Sequence, residues 1–101
     1  MPKEQTSIRE RERTNLKEPR LYKVIFHNDD FTTMEFVVKI LMTVFHKEEA
    51  EAQELMMQVH TNGRATAGIY TLDMAMTKTN KSMKMARDEG FPLRLTYEPC
   101  D

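Results

Sequence analysis

The sequence predicts a small α+β domain in which a three-stranded antiparallel sheet carries three helices on one face. Two observations lead to this fold class. Apolar residues recur at helical spacing in three segments, and short β-branched or aromatic stretches separate these segments in the order β-α-α-β-α-β. The chain has 101 residues, enough for one domain. We expect a core domain over residues 21–101 behind a disordered extension over residues 1–20.

The extension is predicted from its composition. Residues 1–20 contain six Lys and Arg and four Glu, but only Met1, Ile8 and Leu16 as sizeable apolar side chains. Burying so little apolar surface does not offset the entropy lost on ordering the chain. The remaining residues hold nine Lys and Arg against twelve Asp and Glu, a formal charge of −3. An acidic domain argues against binding to nucleic acid.

The cellular compartment is predicted from what the sequence lacks. No segment reaches the roughly 18 consecutive apolar residues of a membrane span, and the N-terminus lacks the apolar core of a secretory signal. Cys100 is the single cysteine, so no internal disulfide is possible. We expect a cytoplasmic protein that is monomeric and makes no contact with membranes.

The first strand runs directly into a polar loop and a helix. Residues 21–27 read as a strand and are followed by Asn28, Asp29 and Asp30. Thr32 and Glu35 have the spacing of a capping box, so we predict that the first helix begins at Thr32. Its apolar face repeats at three-and-four spacing: Met34, Val37, Val38, Leu41, Val44 and Phe45.

The second helix is predicted over about residues 47–61, with Gly63 ending it in the left-handed conformation. Its glutamates in the opening turn complement the helix dipole. The strand that follows, residues 64–70, contains Gly68, which indicates that another group packs closely against the backbone there. The apolar face of the second helix is formed by Ala52, Leu55, Met56 and Val59.

The third helix is predicted to begin at Thr71 as its cap and to end at Gly90, ahead of a last strand over residues 93–98. Its core-facing side is predicted from the apolar and small residues at helical spacing: Leu72, Ala75, Met76, Thr79, Met83 and Ala86.

The polar loop after the first strand has several interpretations. Asn and Asp are common in turns because they bond their own backbone, so local turn chemistry is one of them. A metal site would need His27, Asp29, Asp30 and His60 to converge, although adjacent residues of an extended loop point in opposing directions. A glycosidase pair of carboxylates would come from separate elements on either side of a sugar, not from neighbours.

A positively charged ammonium ligand matches the loop better. An ammonium has three N–H donors and no acceptor, so its receptor must supply acceptors. Asn28 and Asp30 offer an amide and a carboxylate oxygen, and His60, at the border of the apolar face of the second helix, offers a ring nitrogen. Apolar residues of the first two helices adjoin the loop. A ligand that joins an ammonium to a large apolar group would fit both parts. The alternative for His60 is an ordinary border residue, which is the more common role of a lone histidine at such a position.

Three segments of the chain resemble the ClpS adaptor family. They are "YKVIFHNDDFTTMEFV", "LMMQVHTNGRATAGIYT" and "PLRLTYE", and the resemblance extends from Leu21 to about Glu98. It implies an N-recognin of the bacterial N-end rule. Such an adaptor binds proteins that begin with Leu, Phe, Tyr or Trp and delivers them to the N-terminal domain of a Clp-type AAA+ unfoldase, ClpA or ClpC. The resemblance implies no catalytic activity and no cofactor.

The resemblance also implies roles for individual residues. Asn28, Asp30 and His60 would hold the α-ammonium of the substrate, with Asp29 shaping the loop. Met34 would act as a gate against β-branched Val and Ile. The docking surface for the unfoldase would lie on the third helix, where Asp73 and Lys78 occupy matching positions, and the N-terminal extension would take part in delivery. The side-chain pocket would be lined by Thr32, Met34, Val37, Met56, Val59 and Leu93.

The sequence departs from the family pattern at three positions. Thr33 stands where relatives usually have proline, His27 where a smaller or amide residue is typical, and Met76 where an acidic docking residue is common. Two other interpretations remain. A scaffolding domain of the same fold would bind proteins without recognising N-terminal residues, and a small metal-dependent hydrolase would use the loop as its site.

Overall fold

A computed structural model describes residues 19–100. It confirms the predicted element order and fold class, with three helices and a three-stranded antiparallel sheet. Of the predicted extension, residues 1–18 lie outside the described part of the chain. No helix within residues 19–100 is long and apolar enough to cross a membrane. The elements are β1 (Leu21–His27), α1 (Met34–Thr43), α2 (Glu49–Asn62), β2 (Arg64–Thr71), α3 (Leu72–Asp88) and β3 (Arg94–Pro99).

β1 is the central strand of the sheet, and its neighbours β2 and β3 both run antiparallel to it. Val24 and Phe26 point toward the helices and are buried. The register between β1 and β2 shifts between Val24 and Ile25, which marks a bulge. Gly68 pairs with Val24 beside this bulge. A Cβ at Gly68 would collide with the ring and hydroxyl of Tyr70, so the predicted close approach to this backbone is confirmed.

The start of α1 differs from the prediction by one residue. The N-cap is Thr33, whose Oγ1 accepts a hydrogen bond from the backbone N–H of Phe36 at 3.1 Å. Thr32 does not cap the helix because its hydroxyl donates to the carboxylate of Asp29. The predicted capping box of Thr32 and Glu35 is therefore wrong. Thr33 itself therefore supplies the side-chain cap that supports the helix start.

The second helix follows the prediction closely. Ala52, Met56 and Val59 are buried on its inner side. Gly63 is the C-cap with φ of 87°, in the left-handed region that glycine adopts at little cost. Its N–H donates to the carbonyl of Val59 at 3.0 Å. The end of α2 is thereby fixed against the start of β2.

The buried face of α3 is rotated from the one predicted. Ala75, Thr79 and Ala86 are buried as expected, but Leu72 and Met76 are 39% and 38% exposed. Their places in the interior are taken by Lys78 and Ser82, so the buried stripe consists of small and polar residues. Small side chains allow a helix to lie close to a sheet, and this helix packs against all three strands. Among the described residues, the hydroxyls of Thr79 and Ser82 have no hydrogen-bond partner.

The core lies between the sheet and the three helices. Its largest fully buried members include Phe26 from β1 and Ile40 and Leu41 from α1. The rings of Phe26 and Phe45 meet edge to face with centroids 5.4 Å apart, an arrangement that aromatic pairs favour. Because the core holds β1, α1 and α2 together, the loop from His27 to Met34 lies on a fixed support.

Candidate functional site

Asp29 organises the loop between β1 and α1. Its Oδ1 accepts hydrogen bonds from the backbone N–H groups of Phe31 at 2.8 Å and Thr32 at 2.7 Å, and its Oδ2 accepts one from the Thr32 hydroxyl at 2.8 Å. Burial alone would raise the pKa of Asp29, but the three hydrogen bonds favour the carboxylate and leave its pKa below the ordinary value. The side chain of Asp29 is therefore engaged within the loop.

The same loop is tied to the end of α2. The backbone N–H of Asn28 donates to the carbonyl of Gly63 at 2.9 Å. This bond places Asn28 beside the last turn of α2, which carries His60. The side chains of Asn28, Asp30 and His60 are all exposed. Three polar groups from two elements are thus brought to one place while staying accessible to a ligand.

A cavity of about 540 Å³ opens between the loop, the start of α1 and the last turns of α2. Volumes of this size are typical of small-ligand sites. Its apolar wall is formed by Met34 and Val37 of α1 and by Met56 and Val59 of α2. Nine residues that we assigned to the site from the sequence line it: Asn28, Asp29, Asp30, Thr32, Met34, Val37, Met56, Val59 and His60.

One predicted pocket residue lies elsewhere, and three pocket residues were not predicted. Leu93 is buried in the core and is not among the residues that line the cavity. Phe31, Thr33 and Glu35 do line it. Phe31 is the most informative of these because it lines the cavity while its side chain is 74% exposed. The sequence signal that could have found Phe31 is an aromatic residue inside a polar loop.

The charges around the cavity all have one sign. Its lining contains the carboxylates of Asp29, Asp30 and Glu35 and includes no Lys or Arg. A cationic ligand is therefore favoured and an anionic one is repelled. Within residues 19–100, no group of three or more His, Cys, Asp or Glu is arranged to hold a metal ion. The cavity combines acceptors for a cation with an apolar wall.

The two residues predicted for unfoldase docking lie on α3, apart from the cavity. Asp73, in the first turn, is exposed. Lys78 is only 9% exposed, and its ammonium donates to the carbonyl of Val44 at 2.8 Å. The ammonium also lies over the rings of Phe45 and Tyr70, 5.7 and 5.4 Å from their centroids. Of the two, Asp73 presents its charged group to solvent.

The sequence of this chain matches a known family model. The model describes the ATP-dependent Clp protease adaptor protein ClpS, and it matches residues 17–96. The chain belongs to the ClpS family. Its polar loop, both helices of the cavity and α3 lie inside the matched segment. The family consists of adaptors of the Clp protease, so the function of this chain lies in protein degradation.

Relatives in the ClpS family are similar over nearly the whole chain. The ATP-dependent Clp protease adapter protein ClpS of Acetivibrio thermocellus is 46% identical over 96 residues, which are 95% of this chain and 97% of the relative. The protein of the same name from Campylobacter jejuni is 46% identical over 98 residues, 97% of this chain and 98% of the relative. That of Myxococcus xanthus is 51% identical over 84 residues, 83% and 78% of the two chains.

A solved ClpS structure shows the same fold. The structure of Agrobacterium tumefaciens ClpS2 bound to L-phenylalaninamide superimposes with a TM-score of 0.80 at 38% sequence identity. The match covers 82% of this chain and 100% of the other. That ClpS2 binds a molecule that carries an aromatic side chain next to a free α-amino group.

Proposed function

We propose that this ClpS-family protein captures polypeptides by a free N-terminal Leu, Phe, Tyr or Trp and delivers them to a Clp-type AAA+ unfoldase for degradation. The observation that carries the proposal is the cavity lining, in which carboxylate and amide oxygens stand beside an apolar wall and no Lys or Arg is present. An N-terminal Leu or Phe is itself a positive charge attached to an apolar group. The L-phenylalaninamide bound by the Agrobacterium relative has the same two parts.

In this proposal the α-ammonium of the substrate donates to Asn28, Asp30 and His60. Their side chains are exposed at one end of the cavity and can each offer an acceptor. Hydrogen bonds to charged groups contribute roughly 1.5–3 kcal/mol each. Asp29 acts indirectly, because its carboxylate oxygens already accept three hydrogen bonds from the loop. It holds the loop in the shape that presents Asn28 and Asp30.

The side chain of the first substrate residue enters the apolar part of the cavity. Val37, Met56 and Val59 form its floor and are nearly buried already, whereas Met34 is 42% exposed at the mouth. Burying a Leu or Phe side chain there contributes roughly 1.5–3 kcal/mol. Met34 is the proposed gate, which rejects side chains branched at Cβ. Thr32 belongs to the rim, and Leu93 supports the wall from the core.

Delivery uses α3 as the docking surface for the N-terminal domain of an unfoldase such as ClpA or ClpC. Asp73 is the proposed contact since its carboxylate is exposed. Lys78 supports the surface from below through its bond to Val44. The protein acts in the cytoplasm as a monomer and without catalysis, and the residues ahead of the core domain take part in the transfer.

The test is a fluorescence anisotropy titration with peptides that differ only in their first residue. We expect Leu, Phe, Tyr and Trp peptides to bind, and Ala, Glu and Lys peptides not to bind. Asp30→Asn should abolish binding. Asp73→Asn is the matched control: it removes one carboxylate from α3 and should leave peptide affinity unchanged while it reduces degradation by the unfoldase. A scaffolding domain of the same fold would bind the unfoldase and show no dependence on the first residue.

A further inference from the structure

The outer face of the sheet, turned away from the helices, has a charge opposite to that of the domain. Side chains alternate along β1, so Lys23, Ile25 and His27 lie on the outer face while Val24 and Phe26 face the core. The three strands contain Lys23, Arg64 and Arg94 but only one acidic residue, Glu98. Residues 21–101, in contrast, carry nine basic and twelve acidic residues. Positive charge is thus concentrated on this face.

The side chains of His27, Arg64 and Arg94 form a row across one end of the sheet. His27 pairs with Arg64 on β2 and with Arg94 on β3, so the three side chains share the outer face as direct cross-strand neighbours. The Nε2 atom of His27 lies 2.8 Å from the hydroxyl of Thr96, which fixes the ring. Burial lowers the pKa of His27, and the positive charges of Arg94 and Arg64 lower it further, against an opposing effect of Glu98. The register places Arg64 and Arg94 on either side of His27.

Glu98 neutralises only part of this charge. It forms ion pairs with Lys23 at 3.6 Å and with Arg64 at 3.8 Å. Arg64 and Glu98 belong to the two edge strands, so their ion pair spans the central strand β1. Ile25 lies on the outer face of β1 and is 1% exposed although it is not part of the helix-side core. Among the ion pairs of residues 19–100, none involves Arg94.

The other end of the outer face is apolar. Ile69 pairs with Lys23 and is 56% exposed, and Leu21, two positions earlier on β1, is 47% exposed. These two side chains are diagonal neighbours on the same face. The face therefore runs from a basic row at one end to an apolar patch at the other.

We propose that the outer sheet face docks an acidic polypeptide segment, with carboxylates received by Arg64 and Arg94 on either side of His27 and apolar side chains resting on Leu21 and Ile69. Charge complementarity selects this occupant. A nucleic acid fits less well because its continuous phosphate backbone would extend beyond the short basic row onto Glu98 and the acidic rest of the domain, whereas a short segment places its carboxylates at the row alone. The site is separate from the cavity and does not depend on the proposed capture of N-terminal residues.

The experiment uses a fluorescein-labelled acetyl-Glu-Glu-Glu-Glu-Leu-Leu-amide peptide, titrated with the full chain at low ionic strength. Because the N-terminus of this peptide is acetylated, the peptide lacks the ammonium that the cavity is proposed to bind. The paired variant Arg64→Gln with Arg94→Gln should weaken binding about three- to tenfold, in the range of surface ion pairs. The matched control, Lys39→Gln with Lys81→Gln, removes two exposed charges from α1 and α3 and should leave the affinity unchanged.

A second measurement needs no variant. Proton NMR of the wild-type His27 ring should show its pKa rising when the peptide binds, because carboxylates of the peptide offset the influence of Arg94 and Arg64. The proposal is overturned if both paired variants lose affinity equally or if the pKa of His27 does not change at saturation with peptide. It is also overturned if single-stranded RNA or tripolyphosphate displaces the labelled peptide at a lower concentration than unlabelled peptide does.

Discussion

The ammonium of Lys78 on α3 donates a 2.8 Å hydrogen bond to the carbonyl oxygen of Val44 at the end of α1. The carbonyl groups of a last helical turn lack partners within the helix and carry partial negative charge, so a buried cation is well placed there. The rings of Phe45 and Tyr70 flank the same ammonium. Lys78 thereby connects the helix that carries Met34 to the helix that carries Asp73.

Lys78→Met is expected to lower the free energy of unfolding by about 1–3 kcal/mol, since it leaves a buried carbonyl without its donor. Urea denaturation measures this. Lys81→Met, a change at an exposed position of the same helix, is the control and should stay within about 0.5 kcal/mol of the wild type. Equal stability of the Lys78 variant and the wild type would show that the bond to Val44 contributes nothing.

Asp29 and Asp30 are adjacent, but replacing each of them by Asn should have different effects on stability and on peptide binding. Asp29→Asn removes a charged acceptor from three hydrogen bonds, so we expect a loss of about 1–2 kcal/mol in stability together with weaker peptide binding. Asp30→Asn should keep the stability and lose the binding. Thermal unfolding and anisotropy on the same samples separate the two. If Asp30→Asn is the less stable variant, the roles assigned to these carboxylates are reversed.

Met34→Ala should admit substrates that begin with Val or Ile. Met34 and Met56 line both the main cavity and a second one of about 350 Å³ beside it, so shortening Met34 joins the two spaces. We expect affinity for Val and Ile peptides to rise while that for Phe falls by about tenfold, because the apolar contact of the methionine is lost. Met57→Ala, an exposed methionine of α2 outside both cavities, is the control. Selectivity that does not change would exclude Met34 as the gate.

His27 should make the stability of the domain depend on pH. Its pKa is lowered by burial, by Arg94 and by Arg64, so folding favours the neutral ring. This contribution is fully present above the ordinary value of 6.5 and is lost as the pH falls through the lowered value of the folded state. His27→Gln should therefore show a flatter stability profile than the wild type between about pH 5 and 7 in urea denaturation. Parallel profiles would contradict this.

The sequence predicted the elements whose signals are local. The bounds of β1 and the left-handed Gly63 follow from β-branched composition and from backbone freedom, and both were confirmed. The cap of α1 was misplaced because Thr32 and Thr33 have equal capping ability in isolation. Asp29 determines which threonine caps the helix, because its carboxylate accepts hydrogen bonds from the N–H and the hydroxyl of Thr32. Residue types alone do not specify these contacts.

The face of α3 was mispredicted for a related reason. Periodicity finds large apolar residues, but the interior side of this helix is centred on Ala75, Ser82 and Ala86. Larger side chains such as Leu72 and Met76 lie at its flank. In the cavity, the acceptors and the apolar wall were predicted from residue types and from the family resemblance. Phe31 and Glu35 were missed because their place at the rim depends on how the Asp29 loop turns.

We expect the cavity to recognise a free α-ammonium joined to a large apolar side chain. Isothermal titration calorimetry with L-phenylalaninamide and with its N-acetyl derivative tests it most directly, since the two ligands differ only at the amine. We predict that the free amine binds and that acetylation weakens binding by at least about 100-fold, the loss of one to two charge-assisted hydrogen bonds. Equal affinities for the two ligands would show that the cavity does not recognise the free amine.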